Sequence, residues 1–237
     1  MKETPKATFQ RLRRALAESA DTSKAGAMQA YMKSSMPYHG VPTPQCRRIC
    51  RELFKTVSFN TEKEWQRLVL HIWRGAQFRE ERYAAIEFCE LRAADPYQTM
   101  DALPLYEEMI VTGAWWDYVD VIASHRLGTL LRRYPRVMGR EMRAWSRCDD
   151  VWKRRAAILC QLQFKKDTDL RLLYDCIEPS VPSREFFLRK AIGWALRQYA
   201  WTNPKEVRRY VRENQKRLSP LSKKEALKNL NRPAAST

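Results

Sequence analysis

The chain has 237 residues, of which 44 are Lys or Arg and 27 are Asp or Glu, so its formal net charge is +17. Its length permits one or two domains. No apolar run is long enough for a membrane span, and the first residues do not form an apolar signal region. We therefore expect a cytoplasmic protein (nucleoid-associated in a bacterium) without membrane contact, whose charge favours a nucleic-acid partner. A basic surface that only maintains solubility is the alternative.

Helical patterns fill most of the chain, and no segment shows the alternation of a half-buried strand. Glycine is scarce, with 7 residues, and helix-favouring residues dominate, so we predict an all-α protein. Residues 1–5 and 231–237 are expected to be frayed. The predicted helices span residues 6–20, 24–35, 43–57, 61–74, 79–93, 97–112, 114–132, 135–147, 149–165, 168–178, 183–200, 204–215 and 220–230.

Prolines 44, 96, 135, 204 and 220 are predicted to begin helices, because proline suits the first helical position. Thr43, Asn203 and Ser219 each precede one of these prolines and are predicted to be N-caps.

The cysteines carry no signal of a metal site. They form no Cys-x-x-Cys pair, and no histidine lies at zinc-site spacing, so we expect reduced thiols buried in helices and no metal or other cofactor. The six residues are Cys46, Cys50, Cys89, Cys148, Cys160 and Cys176.

One position recurs along the chain at intervals of 36, 36, 36, 35 and 35 residues. Small residues occupy most of its occurrences, and one occurrence is an aspartate. The series is Arg48, Ala84, Asp120, Ala156, Ala191 and Ala226. Such a period is typical of a helical repeat array. We therefore predict that residues 1–237 form a single domain of about six helix pairs, stacked into a right-handed superhelical solenoid with a concave face.

Basic residues cluster beside the recurring position, which predicts a cationic stripe along the concave face, suited to the backbone of a duplex. Two helix amino termini, at Thr43 and Ser222, are expected to add N–H donors for phosphates. A solvated helix face is the alternative for each single cation. The predicted DNA contacts are Thr43, Arg47, Arg48, Arg154, Arg189, Lys190, Arg197, Ser222, Lys223 and Lys224.

The aspartate of the series belongs to a predicted site. Trp116 and Asp120 are four residues apart and share one helix face, and Arg155 is expected at nearly the same height on the neighbouring helix. Trp194 lies one turn beyond the same position of the next repeat. A carboxylate within a cationic stripe suggests stabilisation of a cationic species. Tryptophans of a core and an ordinary inter-repeat Asp120–Arg155 salt bridge are the alternatives.

The chain resembles the AlkD family of DNA alkylpurine glycosylases, which are built from HEAT-like repeats. Two strings carry most of the resemblance: Thr-x-x-Trp-Trp-Asp-x-Val-Asp at residues 112–120 and Ala-Ile-Gly-Trp-x-Leu-Arg-x-Tyr at residues 191–199. Segments 31–33, 40–44, 152–159 and 220–226 extend it over residues 28–230, whereas the amino-terminal helix and residues 36–39 depart from the family pattern.

The resemblance implies that Asp120 is the catalytic carboxylate and that Trp116 and Trp194 pack against the lesion deoxyribose. It also implies that Arg155 holds the adjacent phosphate and that Tyr31 closes the same cleft. The expected partner is duplex DNA with N3- or N7-alkylated purines, processed by a monomer without strand cleavage. The family further implies that the lesion need not be flipped into a pocket, which would allow bulky adducts.

Three other functions remain open from the sequence. The first is a non-catalytic HEAT-repeat scaffold that binds nucleic acid, and the second is a solenoid that binds acidic proteins. The third is a specialised glycosylase that gives self-resistance to a genotoxic alkylating metabolite.

Overall fold

The computed structural model describes residues 4–230, and within this range the chain forms helices and no strand. The predicted all-α class is confirmed. The α-helices are α1 Pro5–Glu18, α2 Thr22–Met32, α3 Thr43–Phe54, α4 Glu62–Gly75, α5 Arg79–Cys89, α6 Leu103–Gly113, α7 Trp116–Val121, α8 Gly128–Arg133, α9 Pro135–Trp145, α10 Val151–Leu159, α11 Leu170–Ile177, α12 Phe186–Ala200, α13 Pro204–Glu213 and α14 Pro220–Leu227.

The chain divides into two compact units, the first ending at Leu105 and the second beginning at Tyr106. In the first unit, α1 packs on α3 and α4, and α5 packs on α3 and α4. The site predicted from the sequence lies in the second unit, apart from Tyr31 and the α3 residues. The single-domain organisation stays a prediction.

Proline and side-chain caps start several helices as predicted. The side chain of Asn203 accepts the Glu206 N–H at 3.0 Å, and that of Ser219 accepts the Ser222 N–H at 3.0 Å, with proline next in each case. Pro135 also begins a helix.

Three predictions at helix starts were wrong. Thr43 is the first residue of α3 and not its cap, because Pro42 already holds the extended conformation before the helix. Pro96 lies inside the 3₁₀ segment Arg92–Tyr97, where its missing N–H prevents growth into an α-helix. Residues 4–5 are not frayed, since Thr4 caps α1 and Pro5 begins it. The fraying expected at 1–3 and 231–237 lies outside the described residues.

Helix boundaries around the recurring aspartate also differ from the prediction. The predicted helix 97–112 begins only at Leu103, after the 3₁₀ turn Met100–Ala102. The predicted helix 114–132 is α7 and α8 joined by one π-helical segment, Ile122–Leu127. Because a π turn changes the phase of the helix, a regular period does not describe this stretch.

The recurring position is buried in all five later repeats. Alanine is fully enclosed in four of them, and Asp120 in the fifth is 8 % exposed. Arg48 breaks the series, because α3 turns Cys46, Cys50 and Phe54 inward and leaves Arg48 exposed. The four alanines are Ala84, Ala156, Ala191 and Ala226.

Helices of the second unit form two layers. In one layer α7, α10, α12 and α14 pack in that order, and in the other α9, α11 and α13 lie side by side. The approach of α12 to α14 is very close, since a Cβ on Gly193 would lie 2.5 Å from Cβ of Glu225 and 2.8 Å from the Ser222 carbonyl oxygen. This packing requires glycine and brings the charged faces of both helices together.

All six cysteines are free thiols, and five of them are buried as predicted. Cys148 differs, because it lies in the turn after α9 and is half-buried. None of the helices described for residues 4–230 is long and apolar enough to cross a bilayer.

Candidate active site

The centre of the candidate site is an ion pair between α7 and α10. Nε of Arg155 donates to Oδ1 of Asp120 at 2.7 Å, and Nη2 donates to Oδ2 at 2.8 Å. The side chains retain only 11 % (Asp120) and 5 % (Arg155) of their accessible surface. The predicted placement of these residues on neighbouring helices is thus confirmed, in the bidentate geometry of a guanidinium fork on a carboxylate.

Arg155 is fixed by a third contact as well. Its Nη1 donates to the carbonyl oxygen of Phe187 at 2.5 Å, and its guanidinium carbon lies 5.9 Å from the centre of the Phe187 ring. Three of the five guanidinium N–H groups are therefore used inside the protein, and the other two have no acceptor within residues 4–230.

An aromatic cluster supports this arrangement. The ring centres of Trp152 and Phe187 are 4.9 Å apart, those of Trp115 and Phe187 5.5 Å, and those of Trp115 and Trp152 6.1 Å. Phe187 was not among the site residues predicted from the sequence. The repeat contained the signal, because Trp116, Trp152 and Phe187 follow one another at intervals of 36 and 35 residues.

The two tryptophans predicted for the site are partly exposed. Trp116 begins α7 and Trp194 lies in the middle of α12, and both are half-buried. In contrast to Trp115 and Trp152, neither stacks on another aromatic ring within residues 4–230. Half-exposed indoles without a ring partner fit a contact surface better than a core.

The backbone on both sides of Asp120 departs from a regular helix. Ala114, which ends the turn before Trp115, has φ of 44°, a left-handed conformation that costs an alanine roughly 1–2 kcal/mol. After Asp120, the π-helical segment begins, and the Ser124 hydroxyl donates to the Asp120 carbonyl oxygen at 2.6 Å. π turns inside α-helices are frequent at functional sites.

Burial and the ion pair act on the carboxyl group in opposite directions. Burial is the larger cause and raises the pKa of Asp120 above its ordinary value, whereas the hydrogen bonds and charge of Arg155 lower it. Nearby Asp117 adds a further small rise in that pKa. The guanidinium therefore offsets part of the rise in pKa that burial causes.

Most of the cations predicted to bind DNA in the second unit have acceptors inside the protein. Lys190 donates to Glu225 at 2.9 Å, and Arg197 donates to the same carboxylate. Arg154 donates to the carbonyl oxygen of Pro179 and the hydroxyl of Ser180 at 2.8 and 3.1 Å.

The remaining predicted contacts of the second unit are two cations with protein acceptors, a buried serine and an exposed lysine. Arg189 donates to the Arg184 carbonyl, and Lys223 donates to the Gln215 carbonyl at 3.0 Å. Ser222 is buried, and its hydroxyl donates to the Arg189 carbonyl at 2.9 Å, so it joins α12 to α14. Lys224 is exposed and has no acceptor within residues 4–230.

The first unit carries a separate basic surface on α3. An open depression of about 620 Å³ is lined by Pro44, Arg47, Arg48, Arg51 and Glu87. Arg47 donates to Glu87 at 2.7 Å, which raises the pKa of this guanidinium, while the exposed Arg48 has no acceptor in the described part of the chain. Arg51, which the sequence analysis missed, follows Arg47 by one turn.

Tyr31 and Thr43 complete the predicted residues of the first unit. Tyr31 is 78 % exposed at the end of α2, and Thr43 is exposed at the start of α3. The role of Tyr31 in closing a cleft stays a prediction. Within residues 4–230, no group of three or more His, Cys, Asp or Glu residues is placed to hold a metal ion.

Comparison with known proteins decides the family. Residues 12–230 match the family model described as DNA alkylation repair enzyme. The chain belongs to this family. A solved structure named a predicted DNA alkylation repair enzyme from Enterococcus faecalis shares its fold, with a TM-score of 0.80 and 27 % identity over 91 % of this chain and 98 % of that one. A search of curated proteins gave no match.

In the second unit, the Asp120–Arg155 pair lies in the same layer of helices as the half-exposed Trp116 and Trp194.

Proposed function

We propose that this DNA alkylation repair enzyme is a DNA glycosylase that hydrolyses the N-glycosidic bond of N3- or N7-alkylated purines in duplex DNA. The observation that carries the proposal is the buried Asp120 carboxylate, paired with Arg155 on a layer with two half-exposed indoles. A buried negative charge of this kind stabilises positive charge that develops during a reaction.

The chemistry of the lesion makes such a group sufficient. Alkylation at N3 or N7 gives the purine a positive charge, so the base leaves with the electrons of the glycosidic bond and becomes neutral without a proton from the enzyme. The positive charge moves to the deoxyribose. Asp120 stabilises the sugar cation and accepts a proton from the water that attacks C1′, which leaves an abasic site.

Asp120 retains the capacity for this role while it is paired. Each carboxylate oxygen accepts one bond from Arg155, and each has a further lone pair for water or for the electrostatic contact with the sugar. The indole faces of Trp116 and Trp194 add cation–π attraction of roughly 0.5–2 kcal/mol each.

Arg155 would hold the phosphate next to the lesion with its two unused N–H groups, which positions the sugar against the carboxylate. The ion-pair partner of Asp120 is an arginine and not a lysine. Since a lyase reaction needs an amine for a Schiff base, we propose a monofunctional enzyme that leaves the strand intact.

The decisive experiment measures release of 7-methylguanine and 3-methyladenine from methylated duplex DNA by wild type and Asp120→Asn. We expect release by wild type only, with duplex binding retained in the variant. Asp117→Asn is the matched control, because it removes a carboxylate from the same helix three residues away and should retain excision. Wild-type rates in Asp120→Asn would remove this carboxylate from the mechanism.

A non-catalytic nucleic-acid-binding scaffold is the second candidate. The observation in its favour is that both oxygens of Asp120 are engaged by Arg155, as in an ordinary salt bridge between helices. This candidate predicts tight duplex binding without base release from any substrate.

Duplexes with large N3-adenine adducts should be tested as well, because excision of these alone would favour a role in self-resistance to a genotoxic metabolite.

A further inference from the structure

The layer of α9, α11 and α13, to which the helix of Asp120 does not belong, has its own charged surface. Neighbouring helices of this layer are joined at their seams. Arg143 on α9 donates to Asp175 on α11 at 2.7 Å, and Tyr174 on α11 donates to Glu206 on α13 at 2.6 Å. The apolar sides of all three helices are buried, so their outer sides form one continuous surface.

Five cations point outward from this surface, which we call the outer basic face. Each is exposed, and none has an acceptor within residues 4–230. They are Arg136 and Arg140 on α9, Arg171 on α11, and Lys205 and Arg212 on α13. The cations near Asp120, in contrast, are mostly held by protein acceptors.

Most acidic groups of this layer are engaged elsewhere and do not neutralise this surface. The exception is Glu141 on α9, which is half-buried and has no cation partner within residues 4–230. Asp175 is paired with Arg143, while Glu206 and Glu213 are both paired with Arg209. The pKa of Glu206 is lowered to about 2 by Arg209 and Tyr174, so it stays ionised within its own pair.

We propose that the outer basic face binds the phosphates of a second segment of duplex DNA. Arg136 and Arg140 are one turn apart, about 6 Å along the helix, and adjacent packed helices lie roughly 8–10 Å apart. A duplex carries a charge about every 1.7 Å along its axis, so unpaired arginines on three neighbouring helices meet several phosphates at once. The site at Asp120 lies on the other layer and is not covered by this second duplex, so one protein molecule can join two duplexes. This inference does not depend on glycosylase activity.

The test uses unmodified duplexes of about 12 base pairs, roughly one helical turn, so that one duplex accommodates few protein molecules. Mass photometry and analytical ultracentrifugation give the stoichiometry. A bead-bound duplex that retains a fluorescent duplex through the protein reports bridging. We expect wild type to form a complex of one protein with two duplexes and to tether the labelled duplex.

The variant Arg136→Gln/Arg140→Gln/Arg212→Gln should still bind one duplex but lose at least tenfold in tethering. Its second binding step should have a log–log salt slope smaller by about 0.9 for each phosphate contact removed. The matched control is Lys6→Gln/Arg14→Gln/Lys63→Gln, which removes the same charge from exposed positions of the first unit. Circular dichroism shows whether each variant is folded.

Three results would overturn the proposal. One is a wild-type complex that never exceeds one duplex per protein, including a complex of two proteins with two duplexes. Another is equal loss of tethering in the control variant, which would mean that net charge alone is responsible. The third is selective loss of binding to phosphatidylserine vesicles in the outer-face variant without any two-duplex complex, which would assign the face to a lipid surface.

Discussion

Asp120 and Arg155 are 35 residues apart in the chain, yet two nitrogens of the guanidinium lie 2.7 and 2.8 Å from the two carboxylate oxygens. Both side chains are nearly inaccessible to solvent, so water does not take the place of the partner charge for either group. The pair joins α7 to α10, and a third bond of Arg155 reaches Phe187 on α12. One guanidinium therefore links three consecutive helices of the layer that carries the candidate site.

Loss of this guanidinium should destabilise the fold. Arg155→Met leaves a buried carboxylate without its partner, which typically costs about 3–5 kcal/mol. Urea unfolding at neutral pH measures the change, and the double variant Asp120→Asn/Arg155→Met should recover part of it. If the changes in the free energy of unfolding of the two single variants add up to that of the double variant, the two groups are not energetically coupled.

Arg155→Met should also alter the pH dependence of excision. Burial raises the pKa of Asp120 and Arg155 lowers it, and the reaction uses the ionised carboxylate. The acid limb of the single-turnover rate is therefore expected above about pH 4, the ordinary aspartate value, and at still higher pH in Arg155→Met. Rates measured in Asp120→Asn correct for spontaneous depurination. If the acid limb lies at the same pH in wild type and in Arg155→Met, the group whose titration limits the rate is not Asp120.

Gly193→Ala should force α12 and α14 apart. The added methyl group would meet the Ser222 carbonyl at 2.8 Å and Cβ of Glu225 at 2.5 Å, and a backbone atom cannot turn aside as a flexible side chain does. We expect a loss of about 1–3 kcal/mol, seen as a lower melting temperature. Gly26→Ala, at a helical glycine with no atom within 4 Å of the added carbon, is the control and should be neutral or slightly stabilising. An unchanged melting temperature in Gly193→Ala would contradict this packing.

Glu225→Gln should strengthen duplex binding. Glu225 neutralises Lys190 and Arg197, and its pKa is lowered mainly by the hydrogen bond from Lys190. Without that negative charge, both cations become available to phosphates, so the affinity should rise and the log–log salt slope should steepen by up to about 0.9 per cation. Titrations at several salt concentrations measure both.

The control for this variant is Glu52→Gln, which removes a carboxylate from an exposed pair with Lys55. An equal gain in affinity in both variants would show an effect of net charge. No gain in Glu225→Gln would mean that Lys190 and Arg197 face α14 only and do not contact DNA.

The order of the helices and the pairing of Asp120 with Arg155 were predictable from the sequence. Helix-forming residues and cap-proline pairs are local signals, and a repeat of 35 or 36 residues places equivalent positions on neighbouring helices. Boundaries near Asp120 were not predictable in this way, because the π-helical segment and the left-handed Ala114 change the phase of the chain without a strong local signal.

The sequence by itself determined an all-α chain of helix pairs and the strings that characterise its family, since both depend on residue types at short spacing. Only the tertiary structure decided which charges are available. Lys190 and Arg197 look free in the sequence, but their acceptor Glu225 comes from another helix, 35 and 28 residues away. Arg136 and Arg140 give no different signal in the sequence, yet they have no acceptor within residues 4–230. A charged side chain is neutralised by an opposite charge that packs against it, and the helix that carries this opposite charge can be distant in the chain.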